Sequence, residues 1–526
     1  SGRFQNDEVT CMNNKFKCLL TAMLGAALLL SGCGSDTGKT AKEEGKVFHY
    51  GTMAYGPAMQ NASTDPHDTY CGWSTVRYGV GETLFKFDNE MNVQPWLAES
   101  YEQVDDNTLK IKLRDDITFS NGKKVTGEAV KACLEDLIKR NDRAPHDLKI
   151  DNITADGQTV TIHSAEKVPA MINYLADPYG AIIDMEAGIK DKIAVGTGPY
   201  VAVKVDDQGI ELTKNEHYWG QTKPKMDKII VRSITDGDSL SMAMQSGELD
   251  AVQGLPYASL PNFQDTSKYK ISSTATSRVY QAAMNFKTPA LQDDRVRKAI
   301  AMALDKDKFV NVLLNGNGVA ATGAFPDTTP YGKGLNGPKY DPEQAKALLK
   351  EAGYTETNSD GYITKDGQPL TLRWLTYTSR QELPLLAEYA QSALKDIGIK
   401  LDVNATDNYK DFLKRGEYDI YAQAIVTAPT GDPEYYLMSK IYSNQPYNNG
   451  YYSNPQVDAM IDQLHNTFDR NQRNDLAIRI QQQILNDDAV LYASFLKMSF
   501  VMKKNVTGFA AHPSDYYEIT PELDMQ

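Results

Sequence analysis

LTLRWLTYTSRQELPLLAEYAQSALKDIGIKLDVNA (370–405) decides the fold class. Leu370–Tyr377 reads as a strand, Glu382–Ile397 as a helix and Ile399–Ala405 as a second strand. Two strands joined through a helix pair in parallel, which predicts α/β layers. The pattern extends in both directions. YDIYAQAI (418–425) is a further strand, and Asn454–Asn486 is expected to be largely helical. On the N-terminal side, Asp293–Leu304 is an amphipathic helix with acidic residues in its first turn. Asp341-Pro342 opens another helix, which Gly353 ends at the C-cap.

The first half has the same mixture on a smaller scale. LKIKLR (109–114) alternates apolar and basic residues, as a half-exposed strand does. Thr126-Gly127-Glu128 opens a helix over Ala129–Arg140. Strands are expected from Val47, in DGQTVTIHS (156–164), GIELTKN (209–215), DKIIVRSI (227–234) and ELDAVQG (248–254), with a short helix at Ser239–Ser246.

With 526 residues, 41% of them apolar, the chain is too long for one core, and two or three domains are expected. Its net charge of −14 arises from 55 basic and 69 acidic residues without a basic block. That balance disfavours nucleic acid as a partner and serves solubility.

The N-terminal 33 residues read as a leader. Ser1–Cys11 precede Met12; Lys15 and Lys17 form a basic segment, Cys18–Leu30 an uncharged apolar run, and Leu30-Ser31-Gly32-Cys33 the end. The run is too short to span a bilayer and has the layout of a secretory signal. Its ending resembles the bacterial lipobox, which implies lipidation at Cys33. Residues 34–46 (GSDTGKTAKEEGK) read as a flexible tether. Beyond the leader only Cys71 and Cys133 remain, spaced too widely for a metal knuckle and expected to be separate, partly buried thiols.

No catalytic pattern is present: HExxH, GxSxG, a P-loop and a strand-anchored GxGxxG are all missing. The seven histidines are scattered without metal-ligand spacing. His67, in the irregular turn Asp65-Pro66-His67-Asp68, is the one singled out as a candidate site residue. Thirty tyrosines against 15 phenylalanines suit a polar cleft, with clusters at Tyr435-Tyr436, Tyr442, Tyr447 and Tyr451-Tyr452. Surface decoration explains those clusters equally well.

Several segments, in order, resemble bacterial extracellular solute-binding proteins of family 5, which serve peptide and nickel importers. They are GETLFKFDNEMNVQPWLAESYE (81–102), TLKIKLRDDITFSNGKKVTGEAV (108–130), GTGPYVAVKV (196–205), KNEHYWGQTKPKMDKIIVR (214–232), SGELDAVQGLP (246–256), MNFKTPALQDDRVRKAIAMALDKDKF (284–309) and YDPEQAKALLKEAGY (340–354). The resemblance covers about residues 47–520. It implies a three-lobed periplasmic-binding-protein type II fold, α/β in class, with a hinge between two major lobes. Lobe I would combine 47–65, 190–275 and 506–526; lobe II would be 66–189 and lobe III 276–505. It further implies a monomer that binds a small-molecule ligand, has no cofactor and no enzymatic activity, and docks on an ABC permease and ATPase. It would sit on the cell surface or periplasmic face of the membrane.

The ligand divides two branches. Peptide-binding members commonly place an Asp three residues before an Asp-Pro pair. Here, in Ala428-Pro429-Thr430-Gly431-Asp432-Pro433, that place holds Pro429, which weakens a peptide assignment. LRDDITFSNG and FPDTTPYG resemble the nickel-binding branch, which grips a metal chelate by its carboxylates. That resemblance puts Arg143 at one carboxylate-gripping arginine, Tyr179 near the place of a second, and Thr427 near a tryptophan beside the metal. Thr430, Gly431 and Tyr435 are the remaining candidate ligand contacts; no metal ligand is assigned. Nickel chelate is favoured narrowly over di- or oligopeptide.

Overall fold

The computed structural model describes residues 45–526; the signal segment, Cys33 and the tether as far as Glu44 lie outside the described residues. The described chain is one compact unit. Among these residues no helix is long and apolar enough to cross a membrane.

A mixed sheet of eleven strands runs through the unit. At one end lie the two strands on which the sequence argument turned. Thr371–Thr376 and Lys400–Ala405 pair in parallel, joined by helix Glu382–Asp396. Ile420–Val426 follows, then Tyr269–Met284, Val490–Lys503, Ala251–Gln253, Val47–Thr52, Lys228–Ser233, Gly209–Lys214 and Tyr200–Asp206, while the eleventh strand, Gly318–Ala320, pairs with Val490–Lys503 off this path. Helix starts fall at the expected caps: Thr126 accepts from the Ala129 amide, and Asp341 from that of Gln344. Gly353 takes φ +101°, a conformation open to glycine at low cost. The stretch 454–486 holds two helices, Pro455–His465 and Arg470–Asn486.

Two long antiparallel strands, Tyr269–Met284 and Val490–Lys503, join the halves of the sheet. Between the pairs Ala275↔Lys497 and Val279↔Phe495 one strand has two residues more than its partner. The resulting bulge, Thr276-Ser277-Arg278, is pinned by Thr276, whose hydroxyl donates to the Leu496 carbonyl (2.9 Å). Bulges of this kind re-aim side chains near binding sites.

Separate apolar clusters surround this frame. Phe48, Tyr50, Leu212 and Val231 pack with Phe500 and Phe509 on one side of the bulge. Trp374, Leu372, Leu386 and Ile420 form a core beyond it, and Tyr436, Ile461 and Ile480 another on the opposite face of the same strands. A four-stranded antiparallel sheet (Ala98–Asp105, Thr108–Leu113, Thr159–Ser164, Ile150–Asp156) carries its own cluster around Ile111, Leu134 and Ile162. Cys71 and Cys133 are buried free thiols.

Candidate functional site

The bulge opens onto a cavity of about 340 Å³ between the two halves of the large sheet. Trp73 and Arg77, from helix Cys71–Arg77, form one wall with Asp515 and Tyr516. Tyr257 approaches from the near half, and Glu382, at the start of helix Glu382–Asp396, from the far one. The Tyr257 hydroxyl donates to Glu382 Oε1 across the gap (2.6 Å).

Arg77, Arg278 and Lys497 line the cavity together with Asp515 and Glu382, and several of the donors lack partners. Arg77 is fully enclosed. Burial opposes its charge, but the neighbouring Asp515 and Glu518 outweigh that and raise its pKa. Its Nε donates to the Asp515 carbonyl (2.9 Å) and Nη2 to Asp515 Oδ2 (2.8 Å), while Nη1 has no partner. The indole Nε1 of Trp73 is also buried without a partner. Arg278, delivered by the bulge, makes no side-chain hydrogen bond or ion pair among the described residues, and burial followed by repulsion from Arg380 lowers its pKa. Unpaired buried guanidinium and indole N–H groups are costly until an acceptor arrives. A carboxylate supplies that acceptor and can take a planar guanidinium fork bidentately.

The candidates from sequence stand around this cavity rather than in it. Arg143 pairs with Asp177 Oδ2 (3.1 Å) and lies over the rings of Tyr70 and Tyr179. Tyr70 in turn packs on Trp73, so Arg143 supports the cavity wall from behind. Tyr179 is buried, its hydroxyl spent on Asp147. The Thr427 hydroxyl donates to the Ala324 carbonyl (2.8 Å), and the Ser277 carbonyl lies 3.1 Å away, which fixes the loop whose next residues, Ala428 and Pro429, line the cavity. The Thr430 and Gly431 carbonyls accept from Asn173 Nδ2. Gly431 has φ +64°, and a Cβ there would stand 2.7 Å from the Met91 carbonyl oxygen. Tyr435 is exposed and outside the cavity lining, and His67 is enclosed between Asp136 and Cys133. Trp73, Arg77, Tyr257, Arg278, Glu382 and Tyr516 escaped sequence reasoning. The one available signal was Arg77 itself, a charge inside the small, otherwise uncharged run CGWSTVRYG (71–79).

Among the described residues no group of three or more His, Cys, Asp or Glu is placed to hold a metal ion.

A two-half frame, a hinge of crossing strands and a cavity between the halves that joins aromatic and charged side chains define a solute-binding protein of the periplasmic type II class. The chain belongs to the bacterial extracellular solute-binding proteins, family 5, whose model matches residues 92–448. It is a binding component, not an enzyme. The nickel-binding protein NikA of Staphylococcus aureus is 31% identical over 511 residues, 97% of either chain. A nickel ABC transporter structure from Bacillus halodurans superposes with a TM-score of 0.85 at 31% identity, covering 91% of this chain and all of that one. Staphylococcus aureus NikA in complex with Ni(L-His)2 gives a TM-score of 0.67 at 29% identity, over 92% of this chain and all of that one.

Proposed function

We propose that this protein captures nickel as a small carboxylate-bearing chelate, such as a nickel–histidine complex, for an ABC importer. The observation that carries the reading is a set of unpaired donors on residues lining the cavity: the half-buried Arg278 and the buried Arg77 Nη1 and Trp73 Nε1. In this reading they grip the chelator's carboxylates while the chelator holds the metal. At about 340 Å³ the cavity is at the small end for ligand sites, which suits a compact complex better than an extended oligopeptide. The names of the relatives point the same way. Lobes over 47–65 with 190–275 and 506–526, over 66–189, and over 276–505 would close about the crossing strands; the apolar clusters follow this division in part, since Tyr78, Val80, Met498, Phe500 and Met502 pack in the core of the first lobe. An anchor at Cys33 would keep the protein beside its permease and ATPase.

Calorimetry with nickel plus histidine, nickel alone, and di- to pentapeptides tests the reading. Nickel plus histidine should bind and nickel alone should not. Arg278→Ala should weaken binding about ten- to a hundredfold, the loss of about 1.5–3 kcal/mol expected for a charge-assisted hydrogen bond. Tight peptide binding indifferent to metal and to Arg278 would replace nickel chelate by peptide as the cargo.

A further inference from the structure

A second groove, of about 960 Å³, lies beside helix Tyr409–Arg415 and the segment 440–451, and includes Tyr421 and Gln423 of strand Ile420–Val426. It shares no lining residue with the cavity at the bulge. Four lysines line it, Lys287, Lys410, Lys414 and Lys440, and no Asp or Glu does. In a chain with 69 acidic and 55 basic residues, that segregation needs a reason.

None of the four makes a side-chain hydrogen bond or ion pair among the described residues, although lysines elsewhere do, such as Lys123 with Glu186 and Lys503 with Asp250. Lys440 is half-buried, and burial, with no carboxylate to offset it, lowers its pKa. Two ammoniums rest on aromatic faces instead: Lys287 Nζ is 3.8 Å from the Tyr451 ring centre and Lys440 Nζ 5.1 Å from that of Tyr447. A ring face attracts a cation but neutralises no charge. Lys410 and Lys414 stand four apart on one helix, a spacing at which like charges repel. Gln423 is only 7% exposed, and its amide also lacks a hydrogen-bond partner among the described residues. Three exposed lysines, the half-buried Lys440 and the amide of Gln423, none with an acceptor among the described residues, line one groove and leave it open to negative charge.

We propose that this groove binds a small oligoanion carrying two or more carboxylate or phosphate groups, independently of the solute cavity. Lys440 and Gln423 would hold the deeper group. Lys287, Lys410 and Lys414 would take the outer charges, with the ammonium of Lys287 leaving the ring of Tyr451 as the anion enters. Several lysines around one ligand make the affinity fall with ionic strength.

The test is titration of the full chain with citrate, pyrophosphate and, as a singly charged control, acetate, at low and moderate salt. Citrate and pyrophosphate separate a carboxylate from a phosphate preference. One or both should bind more tightly than acetate, and salt should weaken the binding. Lys440→Met should weaken it at least tenfold. The exposed pair Lys410→Gln and Lys414→Gln, which leaves the core untouched, should do so too if the buried substitution impairs folding. Arg278→Ala, which alters the other cavity, should leave this binding unchanged. Failure of both oligoanions to bind, or binding that follows Arg278 and ignores the lysines, would overturn the proposal without touching the nickel reading.

Discussion

Asp432 is the anchor beneath the cavity loop, and its replacement by Asn gives a sharp test of how that loop is held. Arg473, with no side-chain exposure, donates to Asp432 through Nε (3.2 Å) and Nη2 (2.8 Å to each oxygen); Arg470 Nη1 adds a fourth contact at 2.9 Å. Burial disfavours the Asp432 carboxylate, but Arg473 and then Arg470 outweigh it and hold its pKa below the usual range. Asp432→Asn keeps the shape and removes the charge. Arg473 keeps one amide oxygen, two carbonyls and a 3.3 Å contact to Glu434, but loses the full charge facing it inside the fold. Breaking a buried pair from one side costs about 3–5 kcal/mol, a large part of the ~5–15 kcal/mol that stabilises a typical domain. The loss is read by denaturant unfolding followed by circular dichroism. The double variant Asp432→Asn with Arg473→Met should recover part of it, since the fully buried Arg473 charge is then removed as well. Pro429 and Ala428 sit three and four residues before Asp432, so nickel–histidine affinity should fall as well. A cost below about 1 kcal/mol, or a double variant no better than the single one, would refute the argument.

Three further outcomes follow from other groups. Burial raises the Glu82 pKa to about 7, against hydrogen bonds from Tyr218, Trp219 and Thr197 that lower it. The folded protein therefore keeps this proton where the unfolded chain has lost it. The contribution is complete below the unfolded value and lost as pH rises through about 7, and ~3 kcal/mol at ~1.4 kcal/mol per unit should be missing from the wild-type minus Glu82→Gln difference above that pH. Tyr257→Phe removes the hydrogen bond across the cavity, so small-angle scattering should show a more open ligand-free molecule, while an unchanged profile would mean that this bond does not hold the halves together. Burial pushes the Cys71 and Cys133 thiols up to about 11 and about 12, so both should resist alkylation at pH 7.5 and peptide mapping should find them unlinked; a Cys71–Cys133 disulfide would contradict the packing.

The fold was legible wherever one face of an element is dry and the other wet. LKIKLR alternates because Leu109, Ile111 and Leu113 are buried and the lysines between them exposed. Thr126, Asp341 and Gly353 marked helix ends because cap chemistry is local. The two crossing strands left no such trace. The polar start of Tyr269–Met284, KISSTATSR, borders a cleft on its way to the core, and Val490–Lys503 begins as a nearly unbroken apolar run. The site was hidden for a related reason: its pairings join distant positions, Arg77 with Asp515 across 438 residues and Tyr257 with Glu382 across 125. Family resemblance led to Arg143, Tyr179 and Thr427, which support the wall and the loop, but the groups at the cavity surface depend on a bulge that no local pattern announces.

The crossing strands also dictate an order of assembly. Val252 is flanked by Gly51 on one side and Val501 on the other, so the sheet of the N-terminal half has a gap that only the last thirty or so residues can fill. Between the pairs Val279↔Phe495 the chain leaves and returns to neighbouring rungs of one ladder, and the intervening residues carry complete apolar cores of their own. On the ribosome or during export, the part that begins later can therefore finish first, while the part that begins first waits with an unpaired strand edge. Such an edge is a template for aggregation until its partner arrives. Truncations that reach Val490–Lys503 should accordingly open the sheet of the N-terminal half as well as remove the cavity wall at Asp515 and Tyr516.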